Sequence, residues 1–206
     1  MMTTSKSGRK VGSTGQARVL SEKEVKQILK VISVGNNAKR NTSIVILSHY
    51  LGLRAKELAA LKIRDVYEDG ALKKTLRLVA AYTKGNKHRD VSLENTTVIN
   101  ALTDSINVRI ELDKSTFHID APLFRSQKKT NFSPNSMVRV IGDIYKNAGF
   151  SDASSHSGRR SLITKLAYKG IDINSIRQIA GHSSISTTQR YIQDNPLLMA
   201  DILKSI

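Results

Sequence analysis

Cysteine is absent from this chain of 206 residues, which removes disulfides, thiolate nucleophiles and cysteine metal sites together. Tryptophan is absent too, and aromatics make up only 5% of residues, which argues against a platform for stacking single-stranded bases. With 3 prolines and 12 glycines the chain is neither collagen-like nor low-complexity, and no apolar run approaches the roughly 18 residues of a membrane span. The first twenty residues carry basic side chains but no apolar stretch, so they do not read as a secretory signal. No G-x-x-x-x-G-K-[ST] motif marks an ATP motor. The histidines (His49, His88, His118, His156, His182) show no tight metal-binding spacing. Asp65, Glu68 and Asp69 are the only close group of three carboxylates, so a two-metal site would need distant residues to converge.

Acidic residues are scarce as well. Asp and Glu total 17 against 33 Lys and Arg, a formal charge of +16. So large an excess opposes compaction unless a polyanion uses it, and it is the electrostatic footprint of nucleic-acid binding. Duplex backbone is the better match given the few aromatics.

Residues 1–19 are rich in Gly, Ser, Thr and basic side chains and read as a flexible basic arm. Ser21 with Glu24 forms a capping box ahead of Val25, Ile28, Leu29 and Ile32 at helical spacing, and Gly35 stops that helix. Further helices are expected over about 39–51 and 55–61. The period then changes: a strand and turn at 65–70, a strand at 75–80, a turn at Thr83-Lys84-Gly85-Asn86 and a returning strand at 87–93. Helices resume over about 95–112, 133–148, 158–168, 174–180, 187–193 and 197–204, with Ser133 as N-cap and Pro134 at the first helical position of the second of these. The expected fold class is mainly α with a small antiparallel three-stranded β-sheet. The expected domains are the arm at 1–19, a catalytic domain at 20–195 and a helical tail at 196–206.

The residues suited to chemistry are cationic and phenolic. His156-Ser157-Gly158-Arg159 sets an imidazole and a guanidinium three apart at a helix start, on one face and beside free N–H groups that suit a phosphate. Arg54 opens a helix with Glu57 three residues on, Lys84 sits at a hairpin tip, and Gly181-His182 turns into a short helix carrying Tyr191. Taken one at a time, each is more often surface charge or packing than chemistry.

Taken in order, Arg54, Lys84, His156-x-x-Arg159, Gly181-His182 and Tyr191 resemble the catalytic domain of the tyrosine recombinases, the phage-integrase family. The surrounding GLRAKELAALKIRDV, TKGNKHRDVSL and IAGHSSISTTQRYI resemble that family as well. The resemblance covers about residues 20–192, and its last motif, G-H-S-S-I-S-x-T-x-x-Y, is the most specific. It implies the fold shared with type IB topoisomerases. Two departures stand out. Arg160 occupies a position where many members carry a second histidine, and Ser157-Gly158 replace the usual middle pair; altered packing is the expected consequence. The family's N-terminal core-binding domain has no counterpart, as in a catalytic fragment or in a small recombinase resembling fimbrial-switch invertases.

What the resemblance implies is specific. Tyr191 would attack a backbone phosphodiester and leave a 3′-phosphotyrosyl link with a free 5′-hydroxyl. Arg54, Arg159 and His182 would stabilise the transition-state oxygens, His156 would take the phenolic proton, and Lys84 would protonate the leaving oxygen. No cofactor and no metal are implied. The implied partners are double-stranded DNA and further copies of the chain, a tetramer on DNA, with DNA-bending or directionality accessory proteins and no membrane. The implied location is cytoplasmic, at the nucleoid. The alternatives are type IB topoisomerase-like relaxation and a non-catalytic DNA-binding protein of the same fold.

Overall fold

A computed structural model describes residues 17–79, 88–128 and 130–193, without the side chains of residues 192 and 193. Lys84 and the expected turn around it, most of the basic arm and the expected tail lie outside the described residues.

Eight α-helices form the body among the described residues: α1 (Glu22–Ser33), α2 (Ala38–Tyr50), α3 (Ala55–Ala60), α4 (Thr96–Asp113), α5 (Pro134–Asn147), α6 (Ser157–Tyr168), α7 (Ile173–Ala180) and α8 (Ile185–Gln193). Their starts follow local chemistry. Ser21 and Glu24 make the reciprocal capping box of α1, Asn95 accepts from the Thr97 and Val98 amides at α4, and Ser133 accepts from Ser136 ahead of Pro134 at α5.

The central element is α2. Its residues from Ser43 through His49 are all buried, a helix enclosed on every side rather than amphipathic. It packs against α1, α4 and α6, and its C-terminal end carries the chain into the site. The main core joins α1 to α5 with the strands; a smaller one holds Ile163, Ala167, Ile176 and Ala180, with Tyr191 packed against it.

The small antiparallel component takes a different form from the single three-stranded sheet expected. Among the described residues it is two separate pairs: β1 (Tyr67–Glu68) with β2 (Ala71–Leu72), and β3 (Thr75–Leu78) with β4 (Arg89–Ser92). The expected strand at 65–69 is a 3₁₀ turn over Ile63–Asp65 followed by β1. Asp69 and Gly70 both adopt positive φ there, the backbone of a tight two-residue hairpin, so the chain reverses before a longer strand can form. In the second pair, Leu76 and Leu78 of β3 are buried while Thr75 and Arg77 are exposed, and Leu78 lies opposite Arg89. On β4 the alternation leaves Asp90 and Ser92 exposed and turns Arg89 and Val91 inward.

At the N-terminal edge of the described chain, Arg18 pairs with Glu24 and Asp152 and lies over the Phe150 ring, while the Leu20 amide donates to Ser161 Oγ. Arg18, inside the expected arm, is therefore already fastened to α1 and to the segment after α5, and Leu20, just past the arm, is fastened to α6.

Gly158 accounts for the unusual middle pair of the His156–Arg159 segment. A Cβ on it would lie 2.7 Å from Ser48 Oγ and 3.1 Å from the Ser48 carbonyl carbon, so α6 presses against α2 at a distance only glycine permits.

Candidate active site

Three guanidiniums converge on the C-terminal end of α7. Arg89 donates from Nη1 to the Ile179 carbonyl (2.6 Å), Arg159 donates from Nη2 to the Ala180 carbonyl, and Arg54 donates from Nη2 to the Gly181 carbonyl (3.0 Å). Three successive carbonyls at the negative end of a helix thus each take one arginine, which is where the helix dipole favours positive charge. Arg159 also donates from Nη1 to the carbonyl of Gly52 (2.6 Å), just past the C-cap of α2. Gly52 holds φ +64°, a conformation that favours glycine, and the turn aims that carbonyl at Arg159.

Glu57 is the counter-charge. It is fully buried and accepts from Arg54 Nη1 (2.8 Å), the Arg54 backbone N–H (2.8 Å) and Arg89 Nη2 (2.8 Å). Burial pushes its carboxyl up, but Arg89, the Arg54 amide and the charges of Arg54 and Arg159 outweigh that and hold it below its ordinary range. Burial beside Arg54 and Arg89 pushes Arg159 down to about 9, which leaves it a cation at neutral pH. One carboxylate against three guanidiniums leaves the pocket with an excess of positive charge, suited to a bound oxyanion.

Histidine and tyrosine complete the cluster. His156 stands at the N-cap of α6, one turn before Arg159, and burial together with Arg159 and Arg54 lowers its pKa. His182 is 8% exposed, and its Nδ1 lies 2.9 Å from Oγ1 of the fully buried Thr188. Burial, then the charges of Arg159, Arg54 and Arg89, push it down to about 4. The Tyr191 ring stacks on His182 with centroids 5.8 Å apart and planes 12° from parallel. Of the six residues singled out from sequence, five gather in one place: Arg54, His156, Arg159, His182 and Tyr191. Lys84 lies outside the described residues.

Three contributors were not legible as such. Arg89 belongs to the quoted segment around Lys84, and strand alternation with Val91 was the one signal that it faces inward. Glu57 reads as a simple partner of Arg54, and only the fold gives it Arg89 as well. Thr188 sits inside the final motif with nothing in its spacing to pair it with His182.

Buried neutral histidines make stability depend on acid. Burial holds His49 near about 4, as it does His182, against an ordinary 6.5. Between those values the unfolded chain binds protons that the native chain refuses. Stability is therefore complete above pH 6.5 and is lost as the pH falls towards 4, by on the order of 3 kcal/mol per histidine. Urea titrations at about pH 7.5 and about pH 4.5 should show a large fall in midpoint on the acid side. Equal midpoints would contradict the burial of both rings as neutral species.

The fold and the site together define a mainly helical domain built around a cationic pocket with a phenol at its edge. Residues 18–197 match the sequence profile of the phage integrase family, and the chain belongs to that family. Similar proteins include the tyrosine recombinase XerA of Pyrococcus furiosus, 34% identical over 177 residues, covering 84% of this chain and 56% of that protein. XerC of Myxococcus xanthus is 34% identical over 180 residues, covering 85% and 58%. Among solved structures, a XerA recombinase superposes with a TM-score of 0.74 at 28% identity, covering 91% of this chain and 65% of that one. The XerH site-specific recombinase bound to difH substrate in a pre-cleavage complex gives 0.66 at 25% identity, covering 89% and 52%. The chain spans a little over half the length of the curated relatives it matches.

Proposed function

We propose that this chain is the catalytic domain of a site-specific DNA recombinase that cuts and rejoins duplex DNA through a 3′-phosphotyrosyl intermediate at Tyr191. The observation that carries the reading is the convergence of Arg54, Arg159 and His182 beside the Tyr191 ring. Phosphodiester attack gathers charge on the non-bridging oxygens, and fixed donors aimed at them supply most of the stabilisation. Arg54 and Arg159 are the charged donors, held in place by the carbonyls they cap. Thr188 Oγ1 lies against Nδ1 of His182, and in the tautomer where Nδ1 accepts from that hydroxyl the ring proton sits on Nε2 and serves as a neutral donor. His156, kept neutral by burial and neighbouring cations, accepts the phenolic proton. Lys84 is assigned to the leaving 5′-oxygen on the strength of its motif. The ester at Tyr191 conserves the energy of the broken bond, so rejoining to another 5′-hydroxyl needs no ATP.

The charge of +16, the membership of the phage integrase family and the difH substrate bound by the XerH site-specific recombinase all support duplex DNA as substrate. Exchange between two duplexes requires four such sites, so the working assembly is a tetramer on DNA, with residues 196–206 as the segment exchanged between copies and DNA-bending or directionality proteins as accessories. A nucleoid location in the cytoplasm follows from that substrate.

The test is covalent capture. A nicked suicide substrate carrying the cognate site, incubated with the chain in EDTA, should yield a protein–DNA adduct, and mass spectrometry should place the nucleotide on the peptide containing Tyr191. Binding without an adduct would favour a DNA-binding protein that only keeps the fold. Relaxation of any supercoiled plasmid, whatever its sequence, would favour a topoisomerase.

A further inference from the structure

We propose that Arg160 is a positioning residue for Tyr191, holding the phenol ring beside the arginine pocket through its guanidinium; the inference rests on Tyr191 being the nucleophile. Arg160 follows Arg159 on α6 but plays a different part. Arg159 is 3% exposed and spends both terminal nitrogens on carbonyls, whereas the Cζ of Arg160 lies over the Tyr191 ring, 5.7 Å from its centroid. Among the described residues no carboxylate pairs with Arg160, and its Nε is buried without a hydrogen-bond partner. Among the described residues the ring is thus the contact that holds this guanidinium.

The surroundings favour the same role. Ser154, His156, Arg160, Thr187, Arg190 and Tyr191 line a cavity of about 360 Å³, and among the described residues its walls carry no carboxylate. An unneutralised cation there is attracted to the electron-rich face of the phenol. Tyr191 needs such a hold. Helix α8 has only nine residues, and the smaller cluster it rests on has four buried members. A nucleophile displaced by about 1 Å loses on the order of a hundredfold in rate.

The test separates action on the nucleophile from action on the phosphate. Single-turnover cleavage of the suicide substrate is measured for Arg160→Ala and Arg160→Lys, with DNA affinity measured separately. The expected result is a rate about tenfold lower for Arg160→Ala, an affinity changed less than about twofold, and partial recovery with lysine, which keeps a cation and guards against a folding defect. The second arm places Arg160→Ala in a Tyr191→Phe background and supplies hydrogen peroxide. Its anion attacks phosphorus in place of the phenol, and the 5′-oxygen leaves with a proton. Here the penalty of Arg160→Ala should disappear. An equal loss with peroxide would overturn the proposal by showing that Arg160 acts on the phosphate, as would a wild-type rate in Arg160→Ala. Absence of both the wild-type adduct and peroxide cleavage would instead sink the functional reading itself.

Discussion

Tyr191→Phe is expected to abolish the protein–DNA adduct, a drop of at least about four powers of ten, while leaving DNA affinity within about twofold of wild type. The substitution removes one oxygen and keeps the ring. The stack on His182, the contact with Arg160 and the packing on the smaller cluster all involve the ring and survive the change. Duplex affinity depends on the charge of the whole chain and should not register the loss. Gel-shift and adduct assays on one preparation give both quantities. A persisting adduct would move the nucleophile elsewhere. Tyr145 is a poor substitute, because it is fully buried and burial pushes its hydroxyl well above the ordinary phenol range.

Glu57→Ala is expected to cost about 3–5 kcal/mol of stability, the usual price of leaving buried charge uncompensated. Glu57 holds Arg54 through two bonds and Arg89 through one, and no other carboxylate reaches this cluster among the described residues. Without it, Arg54, Arg89 and Arg159 face one another across the end of α7 with only carbonyls to offset their repulsion. For a domain of this size the melting temperature should fall by roughly 10 °C. Added duplex DNA should recover part of that loss, because its phosphates supply the missing counter-charge and stabilise the folded state by mass action. Cleavage should fall as well, since Arg54 loses the partner that fixes its fork. Thermal melts with and without DNA check both parts. A melting temperature within about 2 °C of wild type would show that solvent already screens these arginines.

Local signals were legible where the cause is local. The capping box at Ser21 and the Ser133-Pro134 start of α5 each set a boundary through neighbours a few residues away, and those helices begin where these residues place them. The strands were harder to read. Positive φ at Asp69 and Gly70 closes a hairpin only two residues deep on each side, so the antiparallel component divides into two ribbons. Short strands carry too few alternations for sequence to say which will pair.

The same divide runs through the site. Sequence by itself determined the charge, the order of the cationic residues, the phenol near the end of the described chain and the local element, helix or turn, beside which each was expected, because those follow from composition and from contacts within a turn or two. Only the tertiary structure decided that Ile179, Ala180 and Gly181 each take a different arginine, that one buried glutamate serves both Arg54 and Arg89, and that Thr188 orients His182. Those contacts join residues as much as 127 positions apart. They depend on where the end of α7 lies against α2, α3 and β4, and the packing of the core fixes that.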